Sequence, residues 1–426
     1  MTRRIFVLTI IAAMLVPIMA STSLAQEDVT LRWRTRPDNQ AEIDLYQTVS
    51  DTIDENWEGV SLMYEPGGSE SASYQDVLIA ELEAGTAPDV FWIPGTDVAR
   101  FAKLGLILNL APYDEADEEF SVEDFYPQIM QHVTVPLEEG ETALWGVPRD
   151  ASAFAVYYNA DLFDDAGVDY PSADWTWDDF RAAAEEINAL GNDIYGFGMN
   201  NWWANYGYWI NAAGSSFFNE DFTACGLDND ATVAGLEFPA GFYADNLATP
   251  YGEDAEPPFL AGQVGMFLNG RWATPNMVAN ADFNWNVAEL PAGPEGQSNW
   301  LFWGAYVVNA DTEHPEEAWE LVTRLTSGDV QGQVAGLGAN IPSRTGGSAV
   351  DDFLATFPEL GLNNEAFVNG LSYGVAENPV WAGDWSTIVT AYDNAVASVY
   401  AGDMSAQEFA DSICNQVADA FESDEE

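Results

Sequence analysis

The chain has 426 residues, with 70 acidic side chains against 12 basic ones, a formal net charge of −58 and 47% hydrophobic residues. So acidic a surface excludes nucleic acid and anionic membrane surfaces as partners, because both require a positive face. The length exceeds one ordinary core and predicts two domains, with apolar material enough for both.

The first signal is one of export. Arg3 and Arg4 precede an apolar run over residues 5–20, broken by Thr9 and Pro17, and Ser23-Leu24-Ala25 supplies a small-x-small cleavage site. Residues 1–25 therefore read as a signal peptide. The run is short and proline-broken for a membrane span, and no later apolar stretch reaches spanning length. The expectation is an exported, soluble protein, periplasmic or extracellular. Without its leader it would carry ten basic residues against 70 acidic, a net charge of about −60. A shell this acidic is like that of proteins from saline habitats, where salt screens self-repulsion. The cysteines, Cys225 and Cys414, both lie far from the leader. A lipid anchor is therefore not expected.

Strand and helix signals then alternate, which predicts an α/β protein. Residues 29–33 read as a strand, and 41–57 as a helix with Ile43, Tyr46, Val49 and Ile53 on one face. A strand at 60–64, a helix at 74–84 and a strand at 89–92 follow. Capping boxes at Ser121/Asp124, Thr176/Asp179 and Ser405/Glu408 predict three helix starts, and Pro315 opens another. No internal repeat or low-complexity linker separates two halves, so the domains are expected to interleave in sequence.

Catalytic signatures are missing. Lys103, the only lysine, is followed by Leu104, which excludes a P-loop, and no Gly-x-Ser-x-Gly elbow occurs. His132 and His314 lack zinc-site spacing. Asp228-Asn229-Asp230 lacks the downstream glycine and glutamate of a calcium loop. With 70 carboxylates, a chance acid pair of glycosidase type carries no weight. No enzyme, cofactor or metal is expected.

The stretch at 144–163, LWGVPRDASAFAVYYNADLF, resembles the crossover segment of the family 1 extracellular solute-binding proteins, the capture subunits of ATP-driven sugar importers. Residues 84–94 (AGTAPDVFWIP), 99–110 (ARFAKLGLILNL), 259–272 (FLAGQVGMFLNGRW) and the turn at 340–344 are similar to further segments of that family, in the same order. The resemblance implies a two-lobed periplasmic-binding-protein-like fold of type II, with a ligand cleft between interleaved lobes. It implies crossings near 148–153, 264–268 and 325–330. The N-terminal lobe would then hold 27–150 and 267–326, and the C-terminal lobe 151–266 and 327–426. Both cysteines would fall in the latter, either as one disulfide or as two separate buried thiols.

The resemblance also implies a carbohydrate ligand, a membrane permease as partner and a free monomer. A pyranose offers an apolar C–H face to flat aromatics and a hydroxyl rim to polar side chains. The expected aromatics are Trp92, Trp202, Trp203, Tyr206, Trp272, Trp300, Trp303, Trp381 and Trp385. The expected rim is Asp97, Asp150, Asn201, Asn205, Arg271 and Asp384. Trp57, Trp145, Trp285 and Trp319 are expected in the core. Two other readings stay open at this point. One is the same fold with a non-sugar solute such as a polyamine, peptide or polyol phosphate; the other is a secreted glycosidase or lectin.

Overall fold

A computed structural model describes residues 29–37, 39–68, 71–191, 193–377 and 383–421. The leader and the acidic run at 423–426 lie outside the described residues, as does Trp381. The strands are β1 (Val29–Thr35), β2 (Val60–Pro66), β3 (Val90–Pro94), β4 (Val147–Ser152), β5 (Phe154–Asn159) and β6 (Tyr195–Met199). After them come β7 (Val264–Gly270), β8 (Trp285–Ala288), β9 (Asn299–Val308), β10 (Ile341–Pro342) and β11 (Gly374–Ala376).

These strands form two sheets. The larger runs β10-β4-β9-β3-β1-β2, with β11 also on β9, and the smaller runs β6-β7-β5-β8. Strands β1, β2 and β3 pair in parallel, while β9 runs antiparallel between β3 and β4. Helices cover both faces of the smaller sheet, so its strands read as continuous apolar runs rather than alternating ones. Along β5, Phe154, Val156 and Tyr158 enter one core, and Ala155 and Tyr157 the other.

The helical starts follow their caps. Thr176 and Asp179 form a full capping box ahead of the helix Trp177–Asn188. Ser405 and Glu408 exchange the same pair of bonds ahead of Ala406–Phe421. Ser121 opens only the 3₁₀ turn Val122–Asp124, and the helix proper is Pro127–Val133. Pro127 is the reason, since it holds Tyr126 out of the helical region at ψ 119°. In the first helix, Gln40–Glu55, Tyr46, Val49 and Ile53 are buried as the spacing predicts; Ile43 is half-buried, and Glu42 lies inside instead.

The chain changes sheet at definite points. β4 runs into β5 through buried Ala153. β7 pairs with β5 and β6 along its length and so stays wholly in the smaller sheet. The change expected at 264–268 therefore falls later, between β8 and β9. Residues expected to leave at 325–330 also stay: Val330, Val334, Ile341, Phe353 and Leu371 pack in the larger core. From Ile388 onward the chain joins the smaller sheet's core.

Two devices tie these passages. The buried Asn299 side chain accepts from the Phe154 N–H at 3.0 Å and donates to its carbonyl at 2.8 Å, imitating one rung of a ladder between the two crossing strands. Cys225 and Cys414, 189 residues apart, are joined as a disulfide.

Candidate functional site: the cleft between the sheets

Where the carboxyl ends of the larger sheet's central strands meet the smaller sheet's helices, a cleft runs between the two bodies. It is nearly shut. A residual cavity of ≈10 Å³ lies between Thr96, Trp300 and Val375 of the larger sheet's body and Trp203, Ser216, Phe217, Phe218 and Trp385 on the other side. Thr96 sits in the turn after β3, the strand end at which open α/β sheets present ligands.

Indoles reach the cavity from both sides. Trp203 meets Trp300 edge-on at 5.2 Å and Trp385 at 5.6 Å. Trp300 is fixed by an N–H bond of 2.7 Å to the Ala204 carbonyl. A second group adjoins it. Trp202, half-buried, stacks on Phe302 at 5.4 Å and meets Trp272 at 6.0 Å. Trp272 folds back over Gly270, where any Cβ would strike its ring. Five expected tryptophans (Trp202, Trp203, Trp272, Trp300 and Trp385) thus join in one chain of ring contacts, and Trp203, Trp300 and Trp385 line the cavity.

Others stand apart from the cavity, each for a local reason. Trp92 is buried in the larger sheet, its ring flanked by the Arg36 and Arg149 guanidinium carbons, each 4.7 Å from the centroid. Asp150 is engaged by Arg149, whose Nε donates to it at 2.9 Å while another nitrogen reaches Thr35 at 2.7 Å. Tyr206 is buried and donates to Asp393 at 2.8 Å; Asn205 is buried beside the Leu268 carbonyl. Asp384 caps the helix Trp385–Tyr400, accepting from the Ser386 N–H at 3.0 Å. Asn201 accepts from the Tyr251 hydroxyl.

Arg271 departs furthest from its expected place at a ligand's rim. It is fully buried and donates to the Gly338 carbonyl, Asn364 Oδ1 and Thr356 Oγ1 at 2.6–2.7 Å. The Phe353, Phe357 and Phe367 rings surround its guanidinium. Burial pulls its pKa down to about 10.

Trp303 and Asp97 belong to the larger sheet's body, on β9 and in the turn after β3, and do not line the cavity. Trp303 packs against Gly95 and donates its indole N–H to the Glu377 carbonyl at 2.8 Å. Asp97 accepts from Gln75 at 3.1 Å, and burial raises its pKa. Glu377 was not singled out in the sequence. Burial, with the neighbouring Asp97 charge, pushes its carboxyl up to about 8, so it holds a proton at neutral pH. His132 was expected to be structural. It is buried, stacks on Trp303 at 6.4 Å, and burial takes its pKa down to about 4. Among the described residues, no group of three or more His, Cys, Asp or Glu side chains could hold a metal ion, and no helix is long and apolar enough to cross a membrane.

The profile of bacterial extracellular solute-binding proteins matches residues 55–332, well over half of the chain. The chain belongs to that family. A Brucella abortus (strain 2308) protein named only as a binding protein is 28% identical over 345 residues, 76% of this chain and 77% of its own. The galactooligosaccharide-binding protein of Bacillus subtilis (strain 168) is 24% identical over 262 residues, 57% of each chain. In three dimensions, an ABC substrate-binding protein of Listeria monocytogenes, solved with cycloalternan, superposes with a TM-score of 0.79 at 22% identity. That match covers 93% of this chain and 99% of the other.

As a solute-binding protein, the chain has cleft residues that the sequence left unmarked, Phe217 and Phe218, with Phe222 packed beside Phe218. A signal for them existed. Two phenylalanines stand eight and seven residues before Cys225, with the turn-forming Asn219 and Asp221 between, which is the outline of a disulfide-anchored hairpin.

Proposed function

We infer that this chain is the capture subunit of an ATP-driven importer and that its solute is a carbohydrate held between the two lobes. The observation that carries the reading is an interlobe cavity lined by indoles from both sides, Trp203 and Trp385 from one and Trp300, with Thr96 and Val375, from the other. Flat indoles match the C–H face of a pyranose, and neutral hydrogen-bonding groups match its hydroxyls. The sugars named for the Bacillus and Listeria relatives support the same class.

In this reading the lobes divide where the chain changes sheet. One comprises residues 29–152 and 299–376, the other 154–288 and 385–421. Ligand stabilises the closed state by its differential affinity for it, and the closed form docks on a membrane permease. The chain acts as an exported monomer, periplasmic or extracellular, without a catalytic step of its own. The pairing of Cys225 with Cys414 supports the reading without a lipid anchor.

The test is tryptophan fluorescence with thermal shift across mono- and oligosaccharides in high-salt buffer. A selective, saturable change with a raised Tm supports the carbohydrate. A response confined to a polyamine or a peptide sinks it. Hydrolysis of a chromogenic glycoside that one carboxylate substitution abolishes would replace the binding protein by an enzyme.

A further inference from the structure

A continuous series of ring contacts runs past the cavity, which Trp203, Trp385 and Phe218 line. From Trp272 the contacts run to Trp202 at 6.0 Å, to Trp203 at 5.4 Å and to Trp385 at 5.6 Å. They continue to Phe218 at 5.9 Å, to Phe222 at 6.4 Å and to His132 at 6.0 Å. The Trp272–Trp202 end is half-exposed. The other end is shut, because Phe222 belongs to the smaller sheet's lobe and His132 to the larger sheet's, where it lies against Trp303.

The residue that shuts it is held rigidly. Phe222 closes a tight turn, its N–H donating to the Asn219 carbonyl at 3.0 Å. Asn219 Oδ1 accepts from the Thr223 and Ala224 N–H groups, and its own N–H donates to Ala224 O at 2.9 Å. Cys225 pins the hairpin to the helix Ala406–Phe421 through the disulfide. Phe222 adopts φ 57°, a backbone region that disfavours a bulky aromatic, and its side chain is 39% exposed. An exposed phenylalanine in a strained turn, placed against the opposite lobe by a covalently anchored hairpin, is not explained by core packing.

Resting on the carbohydrate reading, we propose that Phe222 is the end-stop of the cleft: it fixes how many sugar units the bound oligosaccharide can have, by closing the His132 end of the aromatic row. The ligand enters from the Trp202–Trp272 end and lies along the rings, and its terminal unit abuts Phe222. A longer chain has to push the hairpin away from His132 before the lobes close.

The experiment measures affinity of the full-length protein for two ladders, glucose to maltohexaose and galactose to its longer β-linked oligomers. It compares wild type, Phe222→Ala and Phe222→Trp. Wild type is expected to lose affinity sharply beyond one chain length. Phe222→Ala should bind the next longer oligomer about tenfold more tightly than wild type does, and Phe222→Trp should keep the wild-type limit. A wild type with no length limit overturns the end-stop, as does a limit shared by the Ala and Trp variants. A wild type that binds neither ladder but responds to a polyamine or peptide overturns the carbohydrate reading itself, and the end-stop with it.

Discussion

The Trp303 indole donates to the main-chain carbonyl of Glu377 at 2.8 Å, a residue whose own buried carboxyl keeps its proton at neutral pH. Glu377 has a folded pKa of about 8 against an ordinary 4.5. Below the ordinary value both folded and unfolded chains hold the proton. As pH rises between the two values the unfolded chain releases it first, so stability falls through this window and levels above it. The loss from this group is at most about 5 kcal/mol. Glu377→Gln keeps the neutral form at every pH. Urea unfolding should find the two proteins alike near about pH 4 and the variant the more stable near about pH 9. Parallel pH profiles would disprove the buried protonated acid.

Arg271 offers a second test, since its position assigns it to the fold and not to the ligand. Replacing it with Met leaves the Gly338 carbonyl, Asn364 and Thr356 without their donor in a buried site. The expected loss is about 3–5 kcal/mol in equilibrium unfolding. Lys restores little, because one ammonium cannot reproduce a planar fork aimed at three acceptors between aromatic rings. An unchanged stability with weakened sugar binding would return Arg271 to the ligand's rim.

Much of this architecture was legible in the sequence because it is written locally. The capping box at Thr176 and the apolar strands at 29–33 and 60–64 act within a few residues of where they are read. The site was legible only in part. Trp203 could be picked out as an aromatic in polar surroundings, whereas Trp385, four residues after Trp381, read equally as cleft or as a packed helix face; Tyr206 stands in the same helix turn as Trp203 and is turned inward to Asp393. Composition does not distinguish the two faces of a short helix whose residues are nearly all apolar. Glu377 and Phe222 escaped notice because what makes them unusual is tertiary. One is buried beside Asp97, and the other is carried to His132 by a disulfide whose partner lies 189 residues away. The displaced crossing has a similar cause: the Gly-containing turn before β7 looks the same whether the strand joins one sheet or the other, and only its pairing with β5 decides.

Trp385 separates binding from folding. It lines the cavity, is half-buried, and stands at the first turn of a helix whose cap is supplied by Asp384. Trp385→Ala removes a stacking platform while sparing that cap. The affinity for the responding sugar should fall by roughly 10–100-fold, the equivalent of about 1.5–3 kcal/mol. The far-UV circular dichroism should not change. A variant that binds normally would move the ligand away from the cavity's indoles.

Charge sets the last expectation. With a formal net charge of −58, the folded chain is destabilised by repulsion among carboxylates that have few cations to pair with. Those cations are already committed in places: Arg32 and Arg34 both engage Glu65, and Arg344 engages Asp124. The remaining repulsion acts across the surface and is therefore open to screening. Raising NaCl shortens the screening length from roughly 10 Å at 0.1 M to about 3 Å at 1 M, so Tm should climb across that range. Sodium chloride is the right probe because sulfate and sugars also stabilise proteins by exclusion from their surface. The rise should shrink in a variant with exposed carboxylates such as Glu118 and Glu119 replaced by their amides, because fewer charges are left to screen. A Tm indifferent to salt in the wild type would mean that the acidic shell costs the fold nothing.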